Sequence, residues 1–151
     1  MIHLPHEVAS QRFAEAMANV LKPPLIMTFS GEIGSGKTTM IRAMLRALGV
    51  SGAIKSPTFS LVESYDVKDF VIHHFDWYRI CDEMELEAIG FRDYLTEDSV
   101  CLIEWPERAP HYLTHVDVML HLVLHGAGRL LDLKSTDPHW ALSFQKWVEP
   151  S

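Results

Sequence analysis

Hydrophobic residues in the first third of the chain switch between strand-like and helix-like spacing. Short apolar runs at Ile2–Leu4 and Leu25–Ser30 predict strands, and the second run is of the compact type that is buried on both faces of a sheet. Residues 7–21 carry apolar side chains at helical spacing, and Lys22-Pro23-Pro24 ends that helix because proline lacks an amide donor and fixes φ. A second helix is predicted at residues 37–49.

Two pairs of strand-like segments follow, and each pair has a short connection. Residues 60–65 and 70–76 are joined through residues 66–69, which are too few for a parallel crossover and therefore predict an antiparallel hairpin. Residues 116–125 alternate apolar and polar positions. After the turn Gly126-Ala127-Gly128, residues 129–135 complete a second predicted hairpin.

One buried strand and two helices complete the pattern. Residues 100–104 form an apolar strand that ends in a glutamate, and residues 83–89 predict a short helix between Asp82 and Gly90. Asp137-Pro138 begins a last helix, whose apolar residues fall on one face. The whole pattern predicts an α/β fold with a mixed β-sheet flanked by helices and with antiparallel hairpins.

The length of 151 residues fits a single domain over residues 1–151, with the tail, residues 136–151, docked on it as a helix. A net charge of −7 weighs against unaided binding to nucleic acid. The chain shows no apolar run near the ~20 residues of a membrane span and no signal-peptide pattern, so we expect a cytoplasmic protein that does not bind membranes. Cys81 and Cys101 are expected to be reduced, buried thiols.

The stretch GEIGSGKTT, residues 31–39, carries the most specific chemistry in the chain. Gly31, Gly36, Lys37 and Thr38 match the pattern GxxxxGK[ST] in full, between a buried strand and an amphipathic helix. Glycines let successive amides turn towards an anion, and the helix N-terminus adds about +0.5 of an elementary charge. Lys37 supplies a charge for the β- and γ-phosphates and Thr38 a hydroxyl for Mg²⁺. We therefore predict a domain of the P-loop nucleoside triphosphatase type.

Two carboxylates are candidates for the metal and water chemistry that such a loop requires. Asp76 and Glu104 each end a strand-like run, and the carboxyl ends of parallel strands face the ligand crevice of an open α/β sheet. An ordinary acid at a strand end is the alternative for either residue alone. The neighbouring His73 and His74 are not expected to share one metal ion, because adjacent strand residues point to opposite faces.

Missing motifs favour ATP over GTP. Asn19 is the only asparagine, so no NKxD guanine reader exists, and no DxxG is present. A DxD sequence after the first strands and an arginine-rich lid insert, expected of many small-molecule kinases, are also absent. Hydrolysis is therefore favoured over transfer to a metabolite, and so small an ATPase is expected to act on a partner protein.

Four motifs in order resemble the TsaE (YjeE) family: GEIGSGKTT at residues 31–39, SPTFSLV at 56–62, HFDWYR at 74–79 and LIEWP at 102–106. The resemblance covers roughly residues 4–133. It implies a small bacterial ATPase that binds ATP and Mg²⁺ and joins the TsaD and TsaB proteins in threonylcarbamoyladenosine modification of tRNA. The resemblance implies that TsaD transfers the threonylcarbamoyl group, while ATP hydrolysis supports repeated turnover. Because of the net charge of −7, we expect tRNA to be contacted only indirectly.

The resemblance also implies roles for individual residues. Thr38 and Glu104 match the Mg²⁺ and Walker-B-like positions, and Asp76 matches an acid of the metal or water site. Thr58 matches a switch-like segment over the phosphates. Trp105 matches a tryptophan tied to activity, with a packed core ring as an equal alternative. The expected catalytic residues are thus Lys37, Asp76 and Glu104, and the expected nucleotide contacts are Gly31, Glu32, Ile33, Gly34, Ser35, Gly36, Lys37, Thr38, Thr39, Thr58 and Trp105.

Three points stay open at this stage. Arg79 either stabilises charge on the phosphates or pairs with a carboxylate, with the structural role favoured. Glu32 is expected to face solvent or a basic group rather than to act in catalysis. The alternatives to an assisting ATPase are a nucleotide-controlled adaptor and a small-molecule P-loop kinase, and a monomer is favoured for the isolated chain.

Overall fold

Seven strands within the described residues form one mixed β-sheet in the order β1-β7-β6-β2-β5-β4-β3. The computed structural model describes residues 1–144 and 146–150. The strands are β1 (Ile2–Leu4), β2 (Leu25–Ser30), β3 (Val62–Asp66), β4 (Val71–Asp76), β5 (Ser99–Glu104), β6 (Val118–His125) and β7 (Gly128–Ser135). The helices are α1 (Glu7–Ala18), α2 (Lys37–Ala47), α3 (Met84–Ala88) and α4 (Pro138–Phe144), with 3-10 turns at Phe91–Tyr94, Pro106–Arg108 and Pro110–Tyr112.

The centre of the sheet is parallel and its edges are antiparallel. Strand β2 pairs in parallel with β5 and β6, and β5 pairs in parallel with β4. The hairpins β3–β4 and β6–β7 are antiparallel, as their short connections predicted, and β1 pairs antiparallel with β7. The predicted α/β fold with a mixed sheet flanked by helices is therefore confirmed.

Strand register decides which side chains meet at the carboxyl edge of the sheet. Phe29 near the end of β2 is opposite Glu104 at the end of β5, and Glu104 is opposite Asp76 at the end of β4. The loop that follows β2 leads into α2. Both predicted carboxylates therefore lie beside the start of that helix.

The two faces of the sheet bury separate apolar clusters. On one face α1, α2 and α4 pack against the sheet, and their side chains, such as Phe13 and Met44, form one cluster with strand residues such as Leu102. On the other face Phe75, Trp77 and further residues near α3 form a second cluster. Alternation along β4 and β5 places the side chains two residues apart on one face. His74, Asp76 and Glu104 thus share the face covered by α2, while His73 lies on the opposite face next to Tyr94.

The C-terminal tail and the cysteines differ in part from the sequence expectations. Trp140 and Phe144 of α4 are buried and Trp147 packs edge-on against the Phe13 ring, but Val148 is exposed. The predicted tail helix, residues 136–151, includes positions 145 and 151, which lie outside the described residues. Cys101 is buried as expected, whereas Cys81 is exposed, because it lies in the irregular segment between β4 and α3 rather than in the sheet.

No helix in residues 1–144 and 146–150 has the length and apolar character that crossing a membrane requires.

Gly128 sets how closely β1 approaches β7, and its replacement tests that packing. A Cβ at Gly128 would overlap backbone atoms of Leu4 and Pro5. We expect Gly128→Ala to lower the unfolding free energy by about 1–3 kcal/mol through overpacking, which corresponds to roughly 2–4 °C in Tm per kcal/mol for a chain of this size. Gly126→Asn is the control, because the site is open and asparagine tolerates its φ of 58°. An unchanged Tm for Gly128→Ala, measured by calorimetry, would contradict the described packing.

Candidate functional site

The loop between β2 and α2 has a backbone that requires glycine. Gly31, Gly34 and Gly36 have φ values of 138°, 80° and 102°, in the region that other residues rarely adopt. At Gly31 a side chain would also lie 2.5 Å from the Leu122 carbonyl oxygen. The Ser35 amide donates to the Glu32 carbonyl over 3.0 Å and closes the turn. The chain enters α2 directly after Gly36, and the first amides of a helix have no intrahelical acceptors.

Lys37 is folded into this loop and is only 4 % exposed. Its Nζ donates to the carbonyl oxygens of Gly31 at 2.6 Å and Glu32 at 2.9 Å. The same ammonium lies 4.2 Å from the ring centroid of Trp105. A full positive charge is therefore fixed at the mouth of the glycine loop by carbonyl dipoles and an aromatic face.

The charge on Lys37 is subject to opposing influences. Burial lowers the pKa of Lys37, and the negative charges of Glu104, Glu107 and Asp76 act against that shift. The lysine is thus the positive member of a cluster of carboxylates, and it offsets part of their mutual repulsion.

Thr38 and Glu104 connect the start of α2 to the end of β5. The Thr38 Oγ1 donates to Glu104 Oε1 over 2.7 Å, and Glu104 is only 2 % exposed. The other carboxylate oxygen, Oε2, lies 2.7 Å from Nε2 of the buried His74. Both oxygens of this glutamate therefore have a partner, and its orientation is fixed from two sides.

Asp76 is held by the chain around it at the end of β4. Its Oδ1 accepts the Tyr78 amide proton at 3.0 Å, and its Oδ2 lies 3.4 Å from the Thr58 Oγ1. Burial is the largest influence and raises the pKa of Asp76, and the nearby charge of Glu104 acts in the same direction. The Thr58 hydroxyl is also 2.7 Å from that of Ser56, which ties the SPTF segment to this carboxylate.

Trp105 follows Glu104 in a strained conformation. Its φ of 58° lies in the left-handed region, which is unusual for a residue with a large side chain. The ring is half-buried and packs against Tyr78 at 4.8 Å between centroids as well as against the Lys37 ammonium. Residues with such strain cluster at functional sites, and they persist only where the surrounding structure holds them in place.

Most of the residues predicted for the site come together in space. Lys37, Thr38, Asp76, Glu104 and Trp105 form a continuous set of contacts, and Thr58 joins it through Asp76. The others differ in exposure: Glu32, Ile33, Gly34 and Thr39 are exposed, Gly31 and Gly36 are half-buried, and Ser35 is buried. The exposed Glu32 fits the expectation that it faces solvent.

Arg79 contacts an aromatic ring and not the carboxylate that was one of the partners considered for it from the sequence. Its guanidinium lies 4.6 Å from the ring centroid of Phe59, and within the part of the chain that the structure describes it forms no ion pair. Because Phe59 is next to Thr58, this contact links the HFDWYR motif to the SPTF segment.

The described residues contain no cluster of three or more His, Cys, Asp or Glu side chains arranged to hold a metal ion by themselves. The oxygen atoms of Thr38, Asp76 and Glu104 nevertheless lie at one edge of the sheet, and hydroxyl and carboxylate oxygens are the ligands that Mg²⁺ prefers. A metal at this edge would therefore also need oxygen atoms from the bound phosphates, as is usual for Mg²⁺ in nucleotide sites.

Arg129 is a part of the site that the sequence reasoning missed. Its Nε donates to the Ser35 carbonyl over 2.6 Å, and a terminal nitrogen lies 3.4 Å from the Gly34 carbonyl. A single arginine after a hairpin turn has no signature of its own. Only the folding of β7 next to the glycine loop brings it there.

A cavity of about 420 Å³ lies beside the glycine loop. Its walls come from the start of α1 with His6 and Ser10, from α2 with Thr39 and Arg42, and from the β6–β7 turn with Arg129. The cavity is continuous with the loop, because Ser35 and Gly36 also line it. It has the volume and the mixed polar and apolar walls of a small-molecule site.

A buried strand, a glycine loop and a helix that begins with lysine followed by threonine define the P-loop fold. Comparison with solved structures agrees, since the chain is similar to Bacillus subtilis YdiB with a TM-score of 0.77 and 19 % identity over 96 % of this chain and 90 % of that one. The family model for the threonylcarbamoyl adenosine biosynthesis protein TsaE matches residues 4–129. The chain therefore belongs to the TsaE family.

Individual relatives carry the same family name. The tRNA threonylcarbamoyladenosine biosynthesis protein TsaE of Haemophilus influenzae is 38 % identical over 87 % of this chain and 86 % of its own length. The protein of that name from Bacillus subtilis is 33 % identical over 79 % of this chain and 73 % of its own length. The chain thus spans most of the length of both relatives.

Asp76 should reduce the stability of the fold at neutral pH. Because its pKa is raised on folding, the native state binds more protons than the unfolded state between the ordinary carboxyl pKa and the raised one, so stability from this group falls as pH rises through that window. We expect Asp76→Asn, which keeps an acceptor for the Tyr78 amide, to melt above the wild type at pH 8, with a smaller difference near pH 4.

The control for this prediction is Asp69→Asn, which changes an exposed acid in the β3–β4 connection and should leave the Tm unchanged. The measurement is thermal unfolding followed by circular dichroism across the pH range. A Tm for Asp76→Asn equal to or below that of the wild type at pH 8 would show that burial of this charge does not destabilise the protein.

Proposed function

We propose that the protein binds MgATP at residues 31–39 and hydrolyses it to support TsaD and TsaB in threonylcarbamoyladenosine modification of tRNA. One observation carries the proposal: the hydroxyl of Thr38 donates to Glu104, and the strand register sets Asp76 directly beside Glu104. N–H groups that could donate to phosphates, a hydroxyl of the kind that binds Mg²⁺ and two carboxylates therefore meet at one edge of the sheet. The names of the relatives support the pathway, since they are called tRNA threonylcarbamoyladenosine biosynthesis proteins.

Binding of the triphosphate would use the loop and its lysine. The first N–H groups of α2 have no intrahelical acceptor and could donate to phosphate oxygens, and the dipole of α2 favours an anion at this end of the helix. Lys37 would exchange its contacts with the Gly31 and Glu32 carbonyls for the β- and γ-phosphates. Arg129 would keep the loop in its binding shape through the Ser35 carbonyl.

The adenosine would occupy the cavity beside the loop. Arg42 and Arg129 line this cavity together with His6 and Ser10, and Gly36 and Thr39 connect it to the phosphate loop. A cavity of about 420 Å³ that opens directly onto the phosphate loop suits a nucleoside.

The donor set fits Mg²⁺, because Thr38, Glu104 and Asp76 offer hydroxyl and carboxylate oxygens. Thr38 and Glu104 would hold the ion, with Asp76 in contact with it or with the attacking water. Bound there, Mg²⁺ would neutralise charge that develops on the phosphates during hydrolysis. Asp76, whose pKa is raised by burial, would orient the water and accept its proton more readily than an exposed carboxylate.

Two exposed apolar side chains at the rim of the site support action on a partner protein. Ile33 in the glycine loop is 68 % exposed and Phe59 beside Thr58 is 85 % exposed. Large apolar side chains of this kind are typical of the buried centre of protein–protein interfaces. Contact there would bear directly on the loop and on Thr58, so a partner could complete the site.

Lys37→Ala should weaken ATP binding strongly and leave no productive binding, so that hydrolysis is lost. The charged hydrogen bonds that the lysine makes are worth about 1.5–3 kcal/mol each, so the loss of one or two should weaken ATP binding roughly 10–100-fold or more. Isothermal titration calorimetry with MgATP measures the change. Lys22→Ala, which removes an exposed lysine before β2, is the matched control and should bind like the wild type. Normal ATP hydrolysis by Lys37→Ala would contradict the assignment of the site.

Addition of TsaB and TsaD should raise the release of ADP from MgATP. The purified protein is assayed alone and with both partners, and Lys37→Ala serves as the blank. We expect slow release by the protein alone and a rise with the partners that the blank lacks, because the partners complete or reset the Asp76, Glu104 and Thr58 site.

An unchanged rate with the partners would contradict an assisted ATPase. Full tRNA modification with an Asp76→Ala protein that binds ATP but does not hydrolyse it would favour the adaptor. Release of ADP that depends strictly on an added metabolite would favour the small-molecule kinase.

A further inference from the structure

The two adjacent histidines of β4 have different surroundings. His73 lies on the face away from α2, where its Nδ1 is 2.7 Å from the Ser64 Oγ and its ring packs against Tyr94. His74 points to the α2 face and its side chain is 1 % exposed. Its Nε2 lies 2.7 Å from Glu104 Oε2. Neither the nucleotide contacts nor the metal ligands proposed above include His74.

Sheet geometry explains why this histidine reaches Glu104 and not its direct neighbour. His74 is opposite Leu102 in register, and Glu104 lies two residues further along β5 on the same face. The two side chains span this diagonal, with Nε2 of His74 2.7 Å from Oε2 of Glu104. The contact therefore follows from the same pairing that sets Asp76 beside Glu104.

The direction of the hydrogen bond follows from the partners available. A carboxylate only accepts, so Nε2 of His74 must donate to it. Within the residues that the structure describes, Nδ1 of this ring is buried without a hydrogen-bond partner. A proton on Nδ1 would turn this atom into a buried donor without an acceptor. The contacts therefore favour the ring with its proton on Nε2 alone.

The effect on Glu104 is to fix the rotation of its carboxylate. The terminal torsion of a glutamate has a broad, weak preference and does not by itself fix the plane of the group. With Oε2 held by His74, Oε1 is left facing the Thr38 hydroxyl at 2.7 Å. The oxygen on the side of the P-loop threonine is thus kept there by a ring that does not itself reach the loop.

We propose that His74 is a positioning residue for Glu104: it orients the carboxylate towards Thr38 and the proposed magnesium site. The inference rests on the proposed MgATP site. Hydrogen-bond partners behind a metal ligand typically change metal affinity 10–100-fold when removed. His74 should therefore act on the Mg²⁺ requirement and not on contacts to the nucleotide itself.

The test compares the Mg²⁺ dependence of ATP binding in four proteins. ATP affinity is measured by calorimetry in EDTA and then at increasing MgCl₂ for the wild type, His74→Ala, His74→Gln and the control His73→Ala. We expect His74→Ala to need a Mg²⁺ concentration roughly 10–100-fold higher to reach half of the maximal gain in ATP affinity. Its affinity for ATP in EDTA should stay within about twofold of the wild-type value. His74→Gln, which can donate from a similar position, should recover most of the loss, and His73→Ala should resemble the wild type.

Three results would overturn the inference while leaving the proposed ATP site intact. The first is an unchanged Mg²⁺ requirement in His74→Ala. The second is an equal loss of ATP affinity with and without Mg²⁺, which would indicate packing alone. The third is a glutamine variant as impaired as the alanine variant.

Folding and ATP binding are checked in the same experiment. If His74→Ala does not fold, the comparison is between His74→Gln and His74→Asn, because the shorter amide cannot reach Glu104. Equal Mg²⁺ requirements in those two variants would also overturn the inference. A wild-type protein that does not bind ATP at all would instead overturn the proposed function, and this inference with it.

Discussion

The parallel pairing of β5 with both β2 and β4 is the constraint on which the site depends. It ends three strands at one edge and sets Glu104 opposite both Phe29 and Asp76. The hydroxyl of Thr38 then meets a carboxylate 66 residues away in the sequence. A one-residue slip of β5 would turn the Glu104 side chain to the other face of the sheet, because side chains alternate along a strand. The chemistry of the site is therefore specified by backbone hydrogen bonds made well away from it.

The same pairing concentrates negative charge in a buried place. Asp76 and Glu104 are neighbours and both are buried, which is unfavourable unless opposite charge or hydrogen bonds compensate. Lys37, the Thr38 hydroxyl and the Tyr78 amide provide part of that compensation. The part of the burial cost that these groups do not compensate appears as the raised pKa of Asp76. A site that gathers carboxylates in this way favours a cation, and this preference is built into the protein chain.

Sequence reasoning succeeded where the signal is local. The GxxxxGK[ST] pattern, the strand before it and the helix after it identified the loop, and short connections identified both hairpins. Strand-end acids were found because a run of apolar residues stops at Asp76 and at Glu104. The prediction that Cys81 is buried was wrong, because the number of cysteines and the expected cell compartment do not indicate which segment leaves the sheet. The contacts of His74 and Arg129 were not predicted for a related reason: their partners are set by strand register and by hairpin docking, which no local pattern records.

The contact from Arg129 to the Ser35 carbonyl has a consequence for how the protein forms during synthesis. The two residues are 94 positions apart, and all strand and helix elements except β7 and α4 are made before the arginine is reached. A nascent chain that ends near residue 115 already contains the complete glycine loop and α2, but it lacks the guanidinium that braces the loop. Because non-local contacts form only after the loop-closure entropy has been overcome, this brace belongs to a late stage of folding. The glycine loop is thus encoded early in the chain and becomes fully supported only when the β6–β7 hairpin has docked.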